Sequence, residues 1–132
     1  EFQYIVRPTQ ILTVGHYVGL GNYYVAYGGD RIVARFDTGG PDATWIFQTC
    51  AASTCTSAAS TITPVAGTWY RIRIRSVVAG TILFSVNGET EVSVATNVPT
   101  AVLLPAVSVI TRTTAASSID LDWFAGQVVV TR

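Results

Sequence analysis

The stretch TWYRIRIRS, Thr68 to Ser76, sets Arg71, Arg73 and Arg75 at alternate positions with Ile72 and Ile74 between them. Successive side chains of a β-strand point to opposite faces. Tyr70, Ile72 and Ile74 are therefore expected to face a core, with Trp69 and the three arginines on the other side. After VVAG, Ile82, Phe84 and Val86 continue the core side, and Asn87-Gly88 is a hairpin signal. A two-residue loop would set Phe84 opposite Glu91. A three-residue loop, Asn87 to Glu89, sets Phe84 opposite Val92 and Ile82 opposite Val94. Burial selects the second register, because a slip of one residue reverses a whole strand. Arg73 then lies across from Ser85, which lies across from Glu91, and Arg75 lies across from Leu83 and then Ser93. Small and acidic neighbours mark a solvated strand with cross-strand charge partners, each exposed pair contributing ~0–1 kcal/mol. The same arginines can also be read as an anion-binding stripe or as a subunit interface, where Arg is enriched.

The rest of the chain follows the same period. Val, Ile, Thr, Tyr and Phe dominate, and Gly, Pro, Asn and Asp break the runs. Strands are expected over Phe2 to Arg7, Ile11 to Leu20, Tyr23 to Tyr27, Arg31 to Asp37, Thr44 to Cys50, Thr54 to Ala58 and Thr61 to Val65. Further strands are expected over Thr68 to Val77, Thr81 to Val86, Thr90 to Thr96, Val102 to Thr111, Ser117 to Phe124 and Gln127 to Thr131. Many short strands without an amphipathic helix point to an all-β, antiparallel β-sandwich of jelly-roll type. With 132 residues and neither repeats nor a linker, residues 1–132 are read as one domain. Trp45 and Trp123 are assigned to the core.

Composition excludes several functions. The formal net charge is zero and only 12% of residues are charged, which argues against nucleic acid or an anionic membrane as partner. No apolar run reaches the roughly 20 residues of a membrane span. The longest, TAVLLPAVSVI, is broken by Pro105. All basic residues are Arg, and Met is absent, so the chain is expected to be a processed product or a fragment.

Cys50 and Cys55 lie in TCAASTCT, and His16 is the lone histidine. That set is too small for a zinc site, and a redox motif is usually C-x-x-C. A disulfide closing the tip of a hairpin is the better reading, with two free thiols as the alternative. The bridge implies an oxidising or extracellular setting. An enzyme is not expected. The paired carboxylates of a glycoside hydrolase, in an E-x-D-x-x-E run, are absent. Glu89 and Glu91 sit at a hairpin turn, too exposed for a raised pKa.

Three further sets of residues attract attention. Asp120 and Asp122 alternate with Ile119, Leu121 and Trp123 in SSIDLDWF, which sends both carboxylates to one face. Ca2+ or a salt link to Arg71 or Arg73 would offset their repulsion; no other cofactor is expected. Tyr17, Tyr23, Tyr24 and Tyr27 crowd HYVGLGNYYVAYGGD, where Tyr17 and Tyr24 with Asn22 and Asp30 make a candidate sugar-binding set. Tyr also suits strands and interfaces, and alternation sends Tyr23 and Tyr24 to opposite faces.

AGTWYRIRIRS, GTILFSVNG, TNVPT and SSIDLDWF, with VGLGN and RIVARFDTG upstream, resemble the strands and turns of concanavalin A-like jelly-roll domains. They are most similar to those of tail-fibre and other structural proteins of tailed bacteriophages. The resemblance covers Ile11 to Phe124 and consists of fold motifs. It does not account for Cys50 and Cys55. It implies a non-enzymatic virion module on a tail fibre, baseplate or capsid surface. The implied partners are copies of itself, in a homo-oligomer such as a trimer, other virion proteins and a host-surface glycan, at the virion surface or outside the cell. Function by fold likeness is analogy. A carbohydrate-binding module of a secreted protein is the alternative.

Overall fold

The computed structural model describes residues 1–22, 29–40, 42–77, 80–114 and 116–126. Ten strands are found among them: β1 Phe2–Pro8, β2 Val14–Gly21, β3 Arg31–Asp37, β4 Ile46–Ala51 and β5 Thr54–Ala59, then β6 Tyr70–Ser76, β7 Ile82–Val86, β8 Val92–Val94, β9 Leu104–Thr111 and β10 Ile119–Gly126. They form two five-stranded sheets, ordered β10-β1-β6-β7-β8 and β5-β4-β3-β2-β9. The strand pairs are antiparallel. The all-β sandwich is therefore as expected.

The core fills the space between the sheets. Tyr4, Val6, Ile72, Ile74 and Phe84 from one sheet meet Val18, Ile32, Ala34, Phe36 and Phe47 from the other. Phe47 and Phe84 stack across the gap with centroids 5.0 Å apart. Trp45 is fully buried, edge-on to Tyr70. The Tyr4 hydroxyl crosses the core and donates to the Gly19 carbonyl at 2.5 Å. Burying such a ring without a partner for its hydroxyl would cost stability, and this bond removes that cost.

TWYRIRIRS behaves as its alternation requires: Tyr70, Ile72 and Ile74 are buried, and Arg71, Arg73 and Arg75 point outward. Ile82 faces Val94 and Phe84 faces Val92, the register that burial selects. Asn87 and Gly88 both have positive φ, 52° and 79°, as a tight primed turn needs.

Differences from expectation have local causes. Thr61 to Val65 forms no strand; the Trp45 amide donates to Ile62, and the Val65 amide to the Tyr70 hydroxyl at 2.7 Å. Pro64 also removes a ladder donor there. Tyr23 to Tyr27 and Gln127 to Thr131 lie outside the described residues. Trp123 is not in the core: it is 46% exposed. The cause is a bulge between β1 and β10. Ile5 faces Trp123 and Val6 faces Leu121, which leaves Asp122 as the extra residue. An extra residue resets the two-residue alternation, so Trp123 shares the outer face with Ile5.

Candidate functional site

The outer face of the β10-β1-β6-β7-β8 sheet carries a network built on the arginines. Arg73 holds Glu1 bidentately, Nε at 2.9 Å and Nη2 at 2.8 Å, and reaches Glu91 at 3.3 Å. Arg75 holds Glu91 in the same manner at 2.6 and 2.5 Å. The two-point bond from Arg73, helped by Gln3, lowers the Glu1 pKa to about 2. Arg75 likewise lowers the pKa of Glu91. In both cases the arginine favours the charged form of the carboxylate.

Arg71 differs. It is exposed, and among the described residues its guanidinium makes no ion pair. Its backbone amide is fixed by the Asn87 side chain at 2.8 Å. Together with Gln3, Arg73, Ser85 and Glu91 it lines a shallow depression of about 220 Å3. Ile5 separates it from Trp123 in one row across the sheet. Trp69 is also exposed, with the Arg7 guanidinium 4.8 Å from its ring centroid.

Asp120 binds Arg7 through Nε at 2.9 Å and Nη2 at 2.7 Å, and not Arg71 or Arg73. The topology explains this, because β1 lies between β6 and β10 and its Arg7 meets Asp120 first. Asp122 is exposed at the bulge. Among the described residues no three His, Cys, Asp or Glu side chains gather where they could hold a metal ion.

The proposed tyrosine set is divided. Tyr17 is buried on the outer side of β2 and donates to Asp37 at 2.5 Å. Asn22 accepts from the Asp30 amide at 3.1 Å, and Asp30 accepts from the Ala52 amide at 2.7 Å, so both brace backbone. Tyr24 lies outside the described residues. Cys50 and Cys55 face each other across β4 and β5 and are joined as a disulfide.

The opposite outer face, on β5-β4-β3-β2-β9, holds a polar network that the sequence reading missed. Arg112 pairs with Asp37, and Arg35 with Asp42 at 3.3 Å. Burial alone would raise the pKa of Asp37, but the Tyr17 hydroxyl, Arg112 and the Gly39 amide outweigh it and lower the pKa. Burial wins at Asp42, whose pKa is raised. Arg31 lies beside Gln48 and the disulfide. The alternation R-x-V-x-R in β3 was the available signal, since Arg31 and Arg35 share a face with Val33. His16 is fully buried, with Nε2 2.7 Å from the Gln10 carbonyl, and burial lowers its pKa.

This architecture is that of the concanavalin A-like jelly rolls, the fold of many lectins. No protein-family model matches the chain. Nor does any curated protein. The crystal structure of the Dario rerio galectin-1-L2 is similar to it with a TM-score of 0.58, over 94% of this chain and 88% of that one, at 9% identity. Identity this low speaks to the fold alone.

Proposed function

We propose that this chain is a carbohydrate-binding, lectin-like module whose site is the outer face of the β10-β1-β6-β7-β8 sheet. Arg71 carries the reading: an exposed guanidinium with no ion pair among the described residues, at the wall of a polar depression. Sugars present hydroxyls that both donate and accept, and C–H faces that rest on aromatic rings. The depression offers donors from Arg71 and Gln3 and acceptors from Ser85 and Glu91, while Ile5 and Trp123 supply apolar surface in the same cross-strand row as Arg71. A few placed polar groups beside apolar surface are the usual means of fixing a small ligand. The likeness to a galectin supports the reading at the level of fold.

The reading is of binding without catalysis. The His16 ring is bonded to a backbone carbonyl, and Glu1, Asp37, Glu89, Glu91 and Asp120 are each held by donors of the chain itself. A glycan-array screen followed by calorimetric titration tests it. Arg71→Ala and Trp123→Ala are each expected to weaken the strongest hit at least about tenfold, ~1.4 kcal/mol, without lowering the melting temperature. Failure to bind any glycan, or an affinity indifferent to both substitutions, refutes it.

A second reading is a virion structural or host-attachment subunit that acts through contacts with copies of itself. Leu121, Trp123 and Phe124 favour it, being large apolar side chains 40–50% exposed along the edge strand β10. Exposed apolar surface of this kind is typical of interfaces. Light scattering without ligand separates the two: a stable trimer supports assembly, and a monomer removes it. The disulfide fits an extracellular location in both.

A further inference from the structure

The Cys50–Cys55 bridge lies on the outer face of β5-β4-β3-β2-β9, and its two ends differ. Cys55 is exposed on the edge strand β5, whereas Cys50 is fully buried. Arg31 sits beside both and is only 8% exposed. It is the direct partner of Cys50 in the β3–β4 ladder, and its Nη2 donates to the Cys55 sulfur at 3.4 Å. Its Nε donates to the neutral Gln48 side chain at 3.0 Å. Among the described residues no carboxylate pairs with it. Asp37 and Asp42, on the same sheet, pair with Arg112 and Arg35.

A buried charge is costly unless paired, and a guanidinium cannot shed its proton to escape the cost. Burial already disfavours the charged form of Arg31. A disulfide sulfur is a weak and uncharged acceptor. A thiolate at the same place is an anion, which a neighbouring cation favours. Nothing has to enter beside the guanidinium for that pair to form, because the sulfur already touches it. Opening the bridge thus supplies the counter-charge that Arg31 lacks in the oxidised fold.

We infer that Cys50–Cys55 is a redox-active site, where small thiols exchange with the disulfide and Arg31 stabilises the thiolate released. The incoming thiolate attacks the exposed Cys55 sulfur. The bond to Cys50 breaks, a mixed disulfide forms and Cys50 leaves as a thiolate beside Arg31. A second thiolate then attacks the small thiol's sulfur and releases Cys55. Two thiols are oxidised to one disulfide and give up two electrons and two protons. The protein takes both electrons and one proton; its other sulfur stays a thiolate, and the second proton passes to solvent. The inference is independent of the carbohydrate reading, which concerns the other sheet.

The test equilibrates the full chain with mixtures of reduced and oxidised glutathione at neutral pH and counts free thiols by alkylation and mass. The wild-type bridge is expected to open in reduced glutathione, which structural disulfides resist. Arg31→Met should hold its bridge at least about tenfold more firmly, ~30 mV lower in potential. A bridge that stays closed in reduced glutathione overturns the inference, as do wild-type and Arg31→Met equilibria that agree within about twofold. Should Arg31→Met fail to fold, the pH profile of iodoacetamide alkylation of the reduced wild type decides. Its faster thiol should titrate clearly below the ordinary value of about 8.5, and titration at or above that value overturns the inference. Loss of the folded circular-dichroism spectrum on reduction does so too, since the pairing needs a folded dithiol.

Discussion

Glu89 offers the sharpest test of how this sandwich is held together. Its Oε1 accepts from the Ser60 hydroxyl at 2.6 Å and the Val86 amide at 3.1 Å. Its Oε2 accepts from the Thr61 amide at 2.9 Å and the Thr61 hydroxyl at 2.6 Å. One carboxylate thus ties the β7–β8 turn to the segment after β5, and β8 has only three residues of its own. Glu89→Gln keeps the shape but turns one acceptor oxygen into a donor that faces donors. At least one backbone amide loses its acceptor, and the other bonds lose their charge assistance. Hydrogen bonds to charged groups contribute ~1.5–3 kcal/mol against ~0.5–1.5 for neutral ones. With partial exposure discounted, the expected loss is about 2 kcal/mol. For an m-value of about 1.5 kcal/mol/M, the urea midpoint falls by about 1.3 M. Acid provides a second check. Burial would raise the pKa of Glu89, but its hydrogen bonds with Ser60, Thr61 and Val86 prevail and lower it. The stabilisation is therefore present above the unfolded carboxyl pKa of about 4.3 and is lost as pH falls through the folded value. The gap between wild type and Glu89→Gln should close below that range. A midpoint shift under about 0.3 M at neutral pH, or a gap that persists in acid, refutes the clamp.

Two further substitutions probe other supports. An added Cβ at Gly19 would lie 2.2 Å from the Ile32 carbonyl oxygen and 2.8 Å from Val33 Cα, backbone atoms of the paired strand. Gly19→Ala is therefore expected to cost about 3 kcal/mol or more in chemical denaturation, and a loss under about 1 kcal/mol would mean the β2–β3 ladder yields easily. Replacing both Cys50 and Cys55 by Ala opens a short loop whose closure contributes about 2 kcal/mol in the chain-entropy model. The melting temperature should drop by about 8 °C, and calorimetry showing no drop would refute a stabilising bridge.

The fold was legible in TWYRIRIRS because alternation and register are local matters. Once Ile72 and Ile74 face inward, Phe84 and Val92 must pair, and they do. Trp123 escaped the same logic because one bulge residue, Asp122, inverts the alternation, and nothing in SSIDLDWF marks it. A salt link from Asp120 to Arg71 or Arg73 was one of the options open in sequence; its partner is Arg7 because strand order places β1 between Asp120 and the β6 row. The clamp at Glu89 joins residues 28 and 29 positions apart, beyond the reach of any periodic pattern. Asn22 and Asp30 look like ligand groups by type, yet both spend their oxygens on backbone amides.

Charge compensation separates the two outer faces more clearly than residue type does. TWYRIRIRS presents three like cations, but Arg73 and Arg75 share Glu1 and Glu91, and only Arg71 is left to solvent. In water that freedom costs little, so a ligand at Arg71 adds hydrogen bonds and need not neutralise a charge. Selectivity for the shape of a polar, uncharged ligand such as a sugar follows from that. Arg31 is the opposite case: enclosed on the other sheet, it spends its Nε on the Gln48 oxygen and is closed off from solvent. An uncharged ligand at Arg71 should bind with nearly the same affinity at low and high salt, because no charge pair is there to be screened. Calorimetric titration of the strongest glycan across that range checks this, and an affinity that falls steeply with salt would mean that an anion, and not a neutral sugar, occupies the face.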